Sequence, residues 1–355
     1  MTGMRSVVRV AAYLPAGSSG GVRVAASDED AFTLGATAAE RAWVDRVRVS
    51  DPVVVHLLGD YPSTADWGFP ALLGRGAEVV RHPGDGGELA RALRSLEETG
   101  EGPALVVAAE LPERATNRER PAPSPPGAAA VAYFLETSDQ PRPFRLGPAS
   151  GSPSAVALAL RRENSDDGGL RSDTYVGDWD LAPAAGRPVD LELVRRGAER
   201  NLSAVSEGAY VPRPRYLENL PSRWRFAADE CDACHEVTFP ARGVCRRCRR
   251  RDALTAILLP RDGGRVVAVT TIGKGGQPTE FDAQVEVSGP YQVALVDLAE
   301  GVRVTLQVTD AAAGEVRVGD AVHTLLRRLY PMEGEWRYGR KAVPAPPGTT
   351  ERRER

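Results

Sequence analysis

Two C-x-x-C pairs, Cys231/Cys234 and Cys245/Cys248, hold all four cysteines of the 355-residue chain, with ten residues between the pairs. A C-x-x-C turn presents two thiolates to one ion, and two such turns close a tetrahedral shell. The set therefore predicts one structural zinc site; four free thiols or a redox pair is the competing reading. The spacer is shorter than the roughly 15–20 residues of the commonest template, yet long enough for two facing turns. A closed four-thiolate shell leaves no open position for a substrate, which argues against metal-assisted catalysis there. His235 adjoins the second cysteine and reads as a neighbour of the site, not a ligand. Cysteines confined to two such pairs fit a reducing cytoplasm and a metal better than disulfides.

Around the cysteines lie Arg242, Arg246, Arg247, Arg249, Arg250 and Arg251, with Arg223 and Arg225 upstream. Guanidinium groups pair bidentately with phosphate. One reading is a site for a phosphorylated ligand, either nucleic acid or the nucleotide end of a coenzyme. The other is a solvated basic face. A nucleophile is harder to find. No cysteine precedes Cys231. His56 lies in an apolar run and reads as a satisfied core histidine, His82 precedes a Pro-Gly turn and is expected to be exposed, and His323 falls in a strand. The run from Ser18 to Gly21 lacks the G-x-S-x-G setting of a hydrolase serine and reads as a loop. GDGG (84–87) and GKGGQP (273–278) match no phosphate-binding fingerprint.

The elements that position these residues fall into two kinds. Residues 1 to about 150 alternate strand-like and helix-like runs, which predicts an α/β region with a mostly parallel sheet. SVVRVAAYLP suits a first strand better than a leader peptide, because Arg9 breaks its apolar run. Ser27 is the expected N-cap of a helix running to Val44, with Asp30 in its first turn. DPVVVHLLGD, GPALVVAAEL and AAAVAYFLE read as strands, and GDGGELARALRSLEETG as a helix. PVDLELVRRGAERNLSAV places apolar residues at Leu191, Val194, Ala198, Leu202 and Val205, one face of a helix capped by Asp190. After the cysteines, about five short strands predict a small closed or partly open barrel. The composition, 42% hydrophobic and 26% charged with a net charge of -3, is that of an ordinary globular protein and disfavours a nucleic-acid binder. No apolar run approaches the length of a membrane span.

From about Arg215 to Ala345 the chain resembles the acyl-CoA-associated zinc-ribbon/OB-fold proteins, long grouped as a domain of unknown function. The matching stretches are RYLENLPSRWRF, the ribbon CDACHEVTFPARGVCRRC with its FP-x-R step, PYQVALVDLAEGVRVTLQV, VRVGDAVHTLLRRL and WRYGRKAVPA. The front half, through VVRVAAYLP, DEDAFTLGATAAERAW and PGAAAVAYFLE, is similar to the first half of a hydroxymethylglutaryl-CoA-synthase-like thiolase fold, in degenerate and truncated form. The resemblance implies four regions: a truncated thiolase-like α/β half over 1–205, a lead-in helix and rubredoxin-like ribbon over 206–253, an OB-fold barrel over 254–345, and a disordered tail over 346–355.

The resemblance also implies a role. Proteins of that family accompany thiolase-superfamily enzymes and help to hold coenzyme A. Thiolase condensation needs a cysteine nucleophile, and here every cysteine is assigned to metal. The leading expectation is therefore a non-catalytic accessory or scaffold subunit in the cytoplasm. It would bind a thiolase or synthase-like partner and grip acyl-CoA phosphates through Arg242, Arg246, Arg247 and Arg249. A lone half of a two-layer fold would expose an apolar face, so self-association is also implied, with GPALVVAAEL as the edge strand that pairs across subunits. Two alternatives stand. One is an acyl-CoA-processing enzyme with a non-Cys active site. The other is an OB-fold nucleic-acid binder, which would need Tyr291, Tyr330, Trp336 and Tyr338 as stacking platforms.

Overall fold

The computed structural model describes residues 4–19, 22–23, 25–43, 53–74, 77–82, 102–111, 128–138, 175–177, 187–188, 211–261, 263–273, 285, 289–299, 302–332 and 334–345. The expected helices over 84–100 and 190–205, the glycine runs at 84–87 and 274–278 and the tail over 346–355 lie outside them. The chain divides into two compact units, Met1–Val189 and Asp190–Arg355. Among the described residues no helix is long and apolar enough to cross a membrane.

In the first unit the order along the chain is β1 (Met4–Tyr13), β2 (Gly17–Ser19), β3 (Val22–Arg23), α1 (Ala31–Ala42), β4 (Val53–Leu58), α2 (Thr64–Leu73), β5 (Ala77–His82), β6 (Ala104–Glu110), β7 (Ala129–Ser138), β8 (Tyr175–Gly177) and β9 (Arg187–Pro188). Six strands form one sheet in the order β5-β4-β6-β7-β1-β8. It is mostly parallel, as expected, with one strand reversed: β4 runs parallel to β5 and β6 and β1 parallel to β8, whereas β7 is antiparallel to both of its neighbours, β6 and β1. GPALVVAAEL is not an edge. As β6 it is hydrogen-bonded to β4 on one side and β7 on the other, so it has no free edge to offer a second subunit. An uninterrupted apolar run reads the same for a central strand and an interface strand, which is why the sequence alone misleads here. Ser18 and Ser19, expected in a loop, lie in β2, which pairs with β3 and β9.

Helix α1 begins one turn later than expected. Asp30, not Ser27, is the N-cap: its side chain accepts from the Thr33 N–H at 2.9 Å, and the Thr33 hydroxyl accepts from the Asp30 N–H at 2.8 Å. That reciprocal pair is a capping box with threonine in place of the usual Glu or Gln. Upstream, Glu29 is held by the Tyr13 hydroxyl at 2.6 Å and the Ala26 N–H at 2.8 Å, which fixes the approach of the chain. Ten of the twelve residues of α1 are buried, so the helix is a core element with no solvent face. Its small residues allow this. A Cβ on Gly35 would stand 2.8 Å from the Tyr61 hydroxyl and 3.1 Å from Val107 on β6.

In the second unit, α3 (Arg213–Glu218) and α4 (Leu220–Arg225) replace the single expected lead-in helix. They meet at Asn219, just before Pro221, which has no N–H to continue a helical ladder. Next come β10 (Ala227–Cys231), β11 (Val237–Thr238) and β12 (Leu254–Leu258), a three-stranded ribbon with β10 in the middle. The stretch expected to open the barrel, LTAIL, is this β12, and it pairs with β10. The barrel is built from β13 (Gly264–Ile272), β14 (Tyr291–Ala299), β15 (Val302–Gln307), β16 (Ala321–Met332) and β17 (Glu335–Pro344) in the order β15-β14-β13-β16-β17. A parallel bridge between Val308 and Ala342 brings the two ends together, giving a nearly closed five-stranded barrel of the OB type.

Ribbon and barrel share one core. Phe226, Ala228 and Val237 pack in the same buried cluster as Val266, Ala294, Val296, Val304, Leu306 and Val322. Gly264, at the start of β13, sits where a Cβ would lie 2.7 Å from Val296 Cγ1. Gly264→Ala is expected to lower stability by about 1–3 kcal/mol through overpacking. A urea unfolding curve of the variant with its midpoint unmoved would contradict that packing.

Candidate metal centre

The four cysteines converge. Cys231 Sγ lies 3.5 Å from Cys248 Sγ, Cys234 Sγ lies 3.6 Å from Cys245 Sγ, and all four sulfurs fall within 4.8 Å of one another. These separations are far beyond a disulfide bond. They match the edge of a tetrahedron of sulfurs about a metal ion at ~2.3 Å, which is about 3.8 Å. The donor set fits a tetrahedral ion of the kind that takes four thiolates, so these residues could hold one.

The two turns that carry the sulfurs repeat each other. In the first, the His235 N–H donates to the Cys231 carbonyl at 2.7 Å and the Cys231 N–H donates to the Glu236 carbonyl at 3.0 Å. In the second, the Arg249 N–H donates to the Cys245 carbonyl at 3.1 Å and the Cys245 N–H donates to the Arg250 carbonyl at 2.9 Å. His235 and Arg249 occupy the same place in each turn and both have left-handed backbone, φ 55° and 63°. Glycine is the usual choice there, so the sequence carries no visible mark of these turns beyond the cysteines. His235 is exposed, with Nδ1 3.8 Å from Glu230, and is not a ligand.

The four thiols perturb one another's ionisation. The backbone N–H of Cys248, followed by that of Arg247, holds the Cys245 pKa down to about 6. An N–H from Glu236 favours the Cys234 thiolate, yet burial and the three neighbouring sulfurs push its pKa up to about 12. Four sulfurs this close cannot all ionise unless a positive ion compensates them.

The expected phosphate-binding arginines lie on and beside the second turn. Arg242, Arg247 and Arg249 are exposed. Arg246 is engaged: its Nε donates to Glu236 in a close ion pair, and its N–H bonds the Thr238 hydroxyl at 3.1 Å. Asp229 accepts from the N–H groups of Arg242 and Gly243, both at 2.9 Å, and so anchors the loop between the turns.

The lead-in helices are fastened to the barrel by a site that spacing could not reveal. The Tyr216 hydroxyl donates to the Tyr338 carbonyl at 3.0 Å and accepts from the Tyr338 N–H at 2.9 Å. The Trp224 indole N–H donates to the same carbonyl at 3.0 Å, and Arg340 Nε donates back to the Trp224 carbonyl at 2.6 Å. Tyr338 is 1% exposed, which removes it as a stacking platform for nucleic acid. In the first unit, His82 is half-buried and not free in solvent: its Nε2 lies 2.9 Å from Nδ1 of buried His56. His323 is buried within β16.

Cys248→Ser, at the exposed member of the set, is expected to remove bound metal and lower stability by on the order of several kcal/mol. Elemental analysis should give one metal ion per chain in the parent and far less in the variant. Full retention would contradict a four-sulfur site.

Comparison with known proteins places the second unit. Residues 259–326 match the family model described as ChsH2, C-terminal OB-fold domain. A DUF35 domain-containing scaffold protein of Methanothermobacter thermautotrophicus is 32% identical over 121 residues, 34% of this chain and 85% of that protein. A second, from Methanocaldococcus jannaschii, is 30% identical over 32% of this chain and 77% of its own length. A solved structure described as the Ltp2-ChsH2(DUF35) aldolase shares 21% identity, covering 39% of this chain and 99% of the matched one, at a TM-score of 0.28. With a curated relative matched over most of its length, the chain belongs to the DUF35-domain family.

Proposed function

We propose that the chain is a scaffold or accessory subunit that docks a thiolase-superfamily partner and helps to hold acyl-CoA, with zinc as the ion of the four-cysteine centre. The observation that carries the reading is the match of about a third of the chain to two curated scaffold proteins over most of their lengths. Its chemistry agrees. The four cysteines of the chain are gathered at one centre, and a four-thiolate shell has no open position, so neither a thiolate nucleophile nor a metal-bound water is available there. Zinc suits that shell because it is redox-inert and its filled d shell leaves it free to take four thiolates tetrahedrally. The thiolase-like character of the first unit and the identity of the partner rest on the family resemblance.

In this reading the CoA phosphates are met by the exposed guanidiniums of the second turn. Arg246 already pairs with Glu236, so the grip falls chiefly to Arg242, Arg247 and Arg249. Arg249 has two tasks: its backbone shapes the turn while its side chain projects from it. Nucleic acid is the less favoured ligand, because one of the barrel's few aromatics, Tyr338, is buried and another, Trp336, is covered by the Arg328 guanidinium 4.6 Å above its ring.

The purified chain alone is expected to show no thioester condensation or hydrolysis. Activity abolished by one substitution in the first unit would overturn the accessory reading. Arg247→Ala combined with Arg249→Ala is expected to weaken CoA binding about tenfold or more, by loss of charge-assisted hydrogen bonds, without changing metal content. Calorimetric titration with CoA, beside elemental analysis, checks both halves of that statement.

A further inference from the structure

The second unit contains a cavity of about 510 Å³ to whose wall α4, the Phe239–Pro240 step, β15 and β17 all contribute. That is the size of an ordinary small-molecule site. Three arginines line it from three separate elements: Arg223 from α4, Arg303 from β15 and Arg340 from β17. Among the described residues that line it there is no Asp or Glu. Arg340 is 4% exposed, and its guanidinium is fixed by the carbonyls of Trp224 at 2.6 Å and Thr324 at 3.4 Å. Arg303 is more than half exposed and lies 3.8 Å from Asp297, a loose contact that solvent screens.

The rest of the wall is mixed: Asn219, Ser222, Thr305 and Gln307 give it a polar part, and the two phenylalanines an apolar one. Phe226 and Phe239 meet edge to face with ring centroids 6.0 Å apart, and Pro240 and Leu329 continue the apolar part. Phe226 is turned into place by a left-handed backbone, φ 54°, at the end of α4. Positive charge on one part of a concave, partly apolar wall selects a molecule with an anionic head and an apolar body.

We infer that this cavity binds a small organic anion, an oxyanion head on an apolar body, with Arg223, Arg303 and Arg340 meeting the head and the Phe226–Phe239 wall meeting the body. The site is separate from the arginines of the second cysteine turn, none of which lines it. It stands whether or not those arginines grip CoA.

Two heads are compatible with guanidinium pairing, carboxylate and phosphate, and the test separates them. The full-length chain is titrated calorimetrically with octanoate, with 1-naphthyl phosphate and with uncharged 1-octanol. Saturation at one anion per chain by octanoate, by 1-naphthyl phosphate or by both is expected, and the tighter of the two names the head. Arg223→Gln combined with Arg303→Gln should weaken that binding about tenfold or more. Thr305→Trp, at an exposed position on the wall, should block it by filling the mouth without touching the core. Arg247→Ala should leave it unchanged. The assignment is overturned if neither anion saturates, if 1-octanol binds as tightly as octanoate, or if both cavity variants bind like the parent.

Discussion

Four sulfurs within 4.8 Å of one another are the constraint on which the second unit depends. The ribbon that carries them has strands of only five, two and five residues, too little to fold by burial alone. A metal ion held by the four cysteines would supply the missing cross-link, and the two repeated turns bring their sulfurs to a common centre. The ribbon is then completed from the other side. Phe226, Ala228 and Val237 enter the barrel core, so the same short strands carry the cysteines and the hydrophobic contact with the barrel.

The barrel in turn depends on the segment before the ribbon. One backbone carbonyl, that of Tyr338, accepts from both Tyr216 and Trp224, and Arg340 returns a bond to Trp224. These groups are buried, and each bond left unmade there would cost about 1–3 kcal/mol, so they specify where α3 and α4 lie against β17. The same placement leaves the arginine-rimmed cavity between α4, the ribbon and β15. Cysteine centre, core and cavity are therefore consequences of one packing arrangement.

Much of this was legible in the sequence, in unequal degree. Cysteine spacing announces its geometry because a C-x-x-C turn has few ways to present two sulfurs. The barrel strands were visible through their β-branched runs, and the DUF35 relationship through the ribbon and the strands after it. What failed to show has physical reasons. The left-handed positions fall on His235 and Arg249, which carry no turn signature. Helix α1 is capped by Asp30 and Thr33 although Ser27 is also a good capping residue, and packing around Glu29 decides between them. The central place of β6 and the pairing of β12 with the ribbon depend on long-range partners. The cavity draws on residues more than a hundred positions apart, from Asn219 to Arg340, which no local pattern can join.

In the proposed function the chain is a structural participant whose chemistry belongs to a partner. The most direct measurement is purification of the tagged chain from its native host at moderate salt, with the co-purifying proteins identified and counted by mass spectrometry. A thiolase-superfamily subunit in fixed, near-stoichiometric ratio is the predicted result. A chain recovered alone, at full metal content, would contradict it.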